Sequence, residues 1–164
     1  MRRKIHSILR GLRHLACDHS GNALVEFTLI APIFFTLWLG VIELGFVFNN
    51  YTTLAAATVA GARQLAIDRG IDSTPYSDTL TQIKNSAGFL TTANITTGVT
   101  ICTSSTVCTA CSTDAGCSTL LNSAQGFLAT VTTSYPCFLP FSTVSFLPLG
   151  SSCKLSAAAS NLVQ

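Results

Sequence analysis

The cysteines offer the most chemistry in this 164-residue chain. Cys108-Thr109-Ala110-Cys111 is a CxxC, and Cys102 and Cys117 lie symmetrically outside it. Four thiolates so arranged could hold zinc in a tetrahedron, or the CxxC could cycle between dithiol and disulfide. The spacing permits both, yet no helix N-terminus or proline-bearing redox fold is evident around it. In an oxidising compartment such a set more often forms two structural disulfides. Cys137 and Cys153 flank an apolar loop, and pairing them would clamp its base. The expected pairs are therefore Cys137 with Cys153, and Cys102, Cys108, Cys111 and Cys117 among themselves, out of about 15 connectivities open to six cysteines. The three histidines, His6, His14 and His19, all lie near the basic N-terminus and read as solvated side chains. No G-x-S-x-G is present. The expectation is a chain that is not an enzyme and that carries no cofactor and no metal.

Two carboxylates stand where carboxylates are rare. Glu26 and Glu43 interrupt the run from Gly21 to Phe48, which is otherwise almost wholly apolar. From Ala23 to Phe48 that run exceeds the roughly 20 mostly apolar residues that a helix needs to cross the hydrocarbon core. Its circumference is Leu, Ile, Phe, Val and Trp, without the polar face of a soluble core helix. It reads as one membrane-spanning helix. Pro32 is expected to remove a backbone hydrogen bond and kink the span. Gly40 and Glu43 share a helix face, where a small residue lets another helix approach. The other reading of Glu43 is a side chain snorkelling to the outer interface.

Charge gives the direction. The chain carries only 10% charged residues and a net +2. Arg2, Arg3, Lys4, Arg10 and Arg13 precede the run, whereas only Arg63, Arg69, Lys84 and Lys154 follow it. Basic residues beside a span stay cytoplasmic, so the N-terminus is expected inside and the remainder outside. The paired-cysteine reading agrees, since all six of those cysteines follow the span. The basic segment lacks the patch and aromatic platform of a nucleic-acid site, and no nucleic-acid partner is expected. A secretory signal would place its small residue after the apolar run, whereas Gly21 comes before it. Leu15-Ala16-Cys17 has no apolar run ahead of it, which removes a lipoprotein signal.

Beyond the span, residues 49–68 continue as helix. Leu54, Thr58, Ala62 and Leu65, with Ala55, Val59 and Ala66 beside them, make a small-residue stripe suited to intramolecular packing. Gly70 reads as its stop. A second helix is expected from a Thr74 cap and Pro75 in the first turn to near Gly88. Strands are expected over Ile95–Cys102, Phe127–Tyr135 and Lys154–Leu162. The Ser/Thr/Cys/Gly stretch after the first of these reads as loop. Leu139–Leu149 holds Pro140 and Pro148, which argues for an apolar loop rather than a central strand. The fold expected is α+β: a long N-terminal transmembrane helix, a second short helix and a small antiparallel, disulfide-linked sheet. The expected divisions are a leader over 1–21, a span over 22–48 and an outer domain over 49–164.

Gly21-Asn22-Ala23-Leu24-Val25-Glu26-Phe27 and the apolar run behind it resemble the class III leader of type IV pilins. The wider stretch ALVEFTLIAPIFFTLWLGVIELG, followed by AGAR, is similar to the TadE-like minor pseudopilins of the Tad/Flp tight-adherence pilus. Ala23, Val25, Glu26, Phe27, Pro32, Gly40, Glu43 and Gly45 carry the likeness, and Leu44 stands where Phe is common in the family. TVTTSYPC and LSAAAS are loosely similar to the family's closing strands, and the cysteine-rich loop departs from its commoner pattern. The resemblance implies a pilin-like subunit of the bacterial inner membrane, with its outer domain periplasmic. It implies cutting between Gly21 and Asn22 by a prepilin peptidase, which makes Glu26 the fifth mature residue. A buried carboxylate is costly unless paired, and the amino group freed at Asn22 would pair with Glu26 within the subunit or on a neighbour. Glu26, Phe27, Pro32, Gly40 and Glu43 are the implied helix-assembly residues. The implied partners are membrane lipid, other Tad pilins and pseudopilins, and inner-membrane pilus assembly proteins. The alternative is a membrane-anchored, cysteine-rich adhesion or binding module that never enters a pilus.

Overall fold

The computed structural model describes residues 19–137 and 153–164. Residues 1–18, which include most of the leader and Cys17, and residues 138–152, which include the apolar loop, lie outside the described residues. The chain forms two compact units, one ending at Ile42 and the other running Glu43–Gln164. The span expected to end at Phe48 therefore closes inside the second unit.

Helix α1 runs His19–Ile67, 49 residues, or about 74 Å at the usual rise. It is continuous through Pro32. Its residues from Leu54 onward change from large to small, and there Leu54, Ala57, Thr58, Ala62 and Leu65 are fully buried. Val59 is an exception to the expected stripe: it is exposed, because at five residues from Leu54 it has rotated away from the core face. The helix gives way after Ile67 to a turn in which Gly70 adopts φ +68°, a conformation side chains with a Cβ resist.

Helix α2 is Pro75–Ser86, with proline in the first turn. Thr74 occupies the N-cap position, yet its side chain makes no capping bond. Its hydroxyl instead donates to Asp78 Oδ2 at 2.8 Å. The helix buries Thr79 and Ile83, and Gly88 (φ +53°) lies just past its end.

After a 3-10 turn at Thr92–Asn94 come strand β1 (Thr96–Cys102), strand β2 (Cys108–Cys111), helix α3 (Asp114–Ser123), strand β3 (Leu128–Pro136) and strand β4 (Lys154–Leu162). The four strands form one antiparallel sheet in the order β2-β1-β3-β4. Val99 faces Val131 and Ile101 faces Ala129 across β1 and β3. Alternation sends Ala129, Val131, Thr133 and Tyr135 inward along β3. Cross-strand hydroxyls dominate the other face, as in Thr96 with Ser134 at 2.6 Å and Thr130 with Ser160 at 2.8 Å.

The architecture is thus α+β, with a long N-terminal apolar helix, short helices and a small antiparallel sheet. The stretch expected as loop after β1 is in fact β2 and α3. β2 is four residues long, too short to show a period, and its register places Cys108 directly opposite Cys102. α3 is built from residues of middling helix propensity. Thr113 starts it by accepting from Gly116 N–H at 3.3 Å, and Cys117 and Leu121, one turn apart, bury its inner face.

Candidate functional site

Large apolar residues from Leu24 to Phe48 need a nonaqueous surrounding, and α1 provides no intramolecular one. Leu24, Ile30, Ile33, Phe34, Leu37, Trp38 and Val41 are exposed, Leu29 to 71% and Phe27 to 67%. A contiguous apolar surface on this scale marks a membrane or interaction site. Among the described residues, α1 is the one helix long and apolar enough to cross a membrane, which fits single-pass anchoring.

Within that surface the candidate residues fall in different settings. Gly21 and Asn22 lie in the first turn of α1. Glu26 is exposed one turn beyond Asn22. Pro32 lies inside the helix, also exposed; its missing N–H leaves the Thr28 carbonyl without the usual i−4 donor. A Cβ built on Gly40, or on Gly45, meets nothing within 4 Å. No packing among the described residues therefore demands glycine at either position.

Glu43 is the unexpected one. Only 1% of it is exposed, and among the described residues neither carboxylate oxygen has a hydrogen-bond partner. That corrects the snorkelling reading, which requires the head group in water. The less exposed positions Thr36, Gly40, Glu43, Val47 and Asn50 recur at helical spacing, so Glu43 sits on a covered stripe of α1 rather than its open face.

The outer domain is fastened differently. Disulfides join Cys102 to Cys108, Cys111 to Cys117 and Cys137 to Cys153. The two CxxC sulfurs therefore bond outward, one to the neighbouring strand and one to α3, and not to each other. Cys111 and Cys117 connect the edge strand to α3, with Cα atoms 5.3 Å apart. A buried hydroxyl pair links α1 to the sheet: Thr58 donates to the Leu54 carbonyl at 2.7 Å, so Thr133 donates to Thr58 across 2.5 Å.

Two aspartates of this domain escaped the sequence reading. Asp114 accepts from the Ser77 N–H at 2.8 Å and the Ser77 hydroxyl at 2.7 Å, and these bonds hold its carboxyl below the ordinary carboxylate range. Burial pushes the Asp68 carboxyl above that range, against the opposing hydrogen bond from Gln64 and with added repulsion from Asp78 and Asp72. The Thr113-Asp114 pair carried a legible signal as a helix start; Asp68 carried none, since its burial depends on the turn that follows it.

These features define a class: an α+β chain carried on an N-terminal apolar helix and tied by disulfides in its outer domain. Residues 21–63 match the TadE-like protein family, and over that segment the chain is TadE-like. The match covers 43 of 164 residues, about a quarter of the chain. No curated protein and no solved structure is detectably similar to it.

Proposed function

We propose that this chain is a minor pseudopilin that assists assembly or initiation of a Tad/Flp-type adhesive pilus. It acts by packing and not by catalysis. The observation that carries the reading is the apolar half of α1, which is TadE-like, leaves its large side chains uncovered, and bears a carboxylate five residues after Gly21.

In this reading the leader stays cytoplasmic, a prepilin peptidase cuts between Gly21 and Asn22, and α1 remains in the inner membrane with residues beyond it periplasmic. Glu26, exposed on the helix, pairs with the amino group released at Asn22 of the same or a neighbouring subunit. Such a pair in hydrocarbon fixes register, because displacing it would leave a charge unpaired. Phe27, Pro32 and the open Cβ position of Gly40 form the surface presented to other pilin helices, where small residues permit close approach. Glu43, already covered, sets the rotation of the helix about that surface.

A second reading rests on one observation: the family match ends at Arg63, before most of the disulfide-tied domain. That reading is a membrane-anchored adhesion or binding module outside any pilus. Intact mass of the membrane-extracted protein separates the two. A chain beginning at Asn22, gaining six hydrogens on reduction (two for each of three disulfides), is the expected result. An uncut leader in a host with its own prepilin peptidase would overturn the pseudopilin reading.

A further inference from the structure

The outer domain gathers its aspartates at one place. From Glu43 to Gln164 the aspartates are Asp68, Asp72, Asp78 and Asp114. Asp68, Asp72 and Asp114 line a groove of about 620 Å³ at the end of α1 and beside α3. Asp78 stands next to it, held by the hydroxyl of Thr74, and its negative field reaches Asp68. Among the described residues the lining holds no lysine, arginine or histidine. Arg69, adjacent in sequence, donates instead to the Gln164 carbonyl and Gln125 Oε1, each at 3.2 Å.

Neutral donors satisfy three of the four carboxylates. Asp114 takes two bonds from Ser77, Asp72 accepts from Ser73 N–H at 2.8 Å, and Asp78 accepts from Thr74. Asp68 is different. It is 5% exposed, its Oδ1 accepts from Gln64 Nε2 at 2.7 Å, and its Oδ2 has no hydrogen-bond partner among the described residues. A buried carboxylate oxygen left without a donor, in a groove walled by further carboxylates, calls for a cationic donor from outside.

The geometry decides which cation. A hard metal ion takes about six to eight oxygens at close range, and among the described residues no three His, Cys, Asp or Glu side chains converge enough to hold one. The groove is also far larger than an ion. Its remaining walls include Ile71 (77% exposed) and Ala115, apolar surface that an alkyl stem would cover. Acidic floor and apolar wall together match a long basic side chain, stem and head.

We propose that this groove is a docking site for an arginine or lysine side chain of a protein partner, its cationic head on Asp68 and flanked by Asp72 and Asp114. The proposal stands apart from the pilus reading, since it needs no processing and no assembly. It is tested by NMR titration of the full chain in detergent with Nα-acetyl-arginine methylamide, its lysine counterpart, the neutral citrulline isostere, and calcium chloride alone. Saturable shifts of the Gly70, Ile71, Asp72 and Ala115 amide signals with both basic probes, absent with citrulline, are expected. Asp68→Asn should weaken the arginine probe about tenfold or more, in line with loss of a charged hydrogen bond. Should Asp68→Asn not fold, Asp72→Asn, whose carboxylate serves only its own turn, gives a smaller loss in the same assay. Equal shifts from citrulline, or no saturable shift from either basic probe, would overturn the proposal. The same shifts from calcium at lower concentration would also overturn it, in favour of a metal site.

Discussion

The two halves of α1 are one helix made under opposite rules. Up to Phe48 most side chains are large, apolar and uncovered, Glu43 excepted; between Leu54 and Ala66 a face of Leu54, Ala57, Thr58, Ala62, Leu65 and Ala66 is buried. Glycine shows the contrast best. Among the described residues an added Cβ at Gly40 or Gly45 meets nothing within 4 Å, whereas at Gly61 it would collide with the side chain of Ile83 and lie 3.6 Å from Thr79 Cγ2. Gly61 is thus required by the protein's own packing. Among the described residues nothing requires glycine at Gly40. The same residue type on the same helix is therefore fixed by packing at one position and left open at another, and only its surroundings tell which.

Leucine truncation tests this contrast most strongly. Leu54→Ala, at a fully buried site, should lower the outer domain's unfolding free energy by about 3 kcal/mol. Leu29→Ala, on the uncovered half, should change it by less than about 0.5 kcal/mol. Chemical unfolding in detergent measures both, and equal losses would break the comparison. Next in size is removal of the Cys137–Cys153 bond by substituting both with serine. Its 16-residue separation suggests a loss of about 3 kcal/mol at most in the chain-entropy account, read as a midpoint below that of wild type under non-reducing conditions, where the other two disulfides stay closed.

Gly61→Ala should destabilise by about 1 kcal/mol, overpacking against buried Ile83 outweighing the gain in helix propensity. Gly40→Ala should leave stability unchanged or slightly raised, while reducing incorporation into pili. Gly21→Arg should leave the leader attached, and Glu26→Ala should permit cleavage but weaken assembly; normal assembly of Glu26→Ala would remove the charge-pairing account. The smallest effects concern pH. Asp114 has a lowered pKa, so its contribution is present above the unfolded pKa near 4 and lost as pH falls through the folded value. Ser77→Ala should therefore flatten stability loss below about pH 4. Asp68 has a raised pKa, so its ionisation opposes folding as pH rises from its unfolded value through the folded one. Asp68→Asn should gain on wild type above that window and converge with it in acid.

The sequence by itself determined the elements whose signal is local. A run of apolar residues from Ala23 to Phe48 can satisfy its backbone only as helix in a nonaqueous setting, and Gly21 with Glu26 at fixed spacing marked the TadE-like segment. β-branched residues located β1 and β3, and a loose alternation located β4, each within a residue or so, and Gly70 and Gly88 marked real ends. What only the tertiary structure decided depends on partners distant in the chain. β2 is a strand because β1 lies beside it with Cys108 opposite Cys102, and α3 persists because Cys117 and Leu121 have a core to enter. Thr74 makes no cap because its backbone, at φ -124° and ψ 42°, is not in the extended conformation that turns a hydroxyl oxygen toward the first-turn N–H groups. Glu43 became buried, and Asp68 gained its unpaired oxygen, through surroundings that no local pattern encodes. Periodicity announces which side chains share a face, but the environment that face meets is a property of the assembled chain.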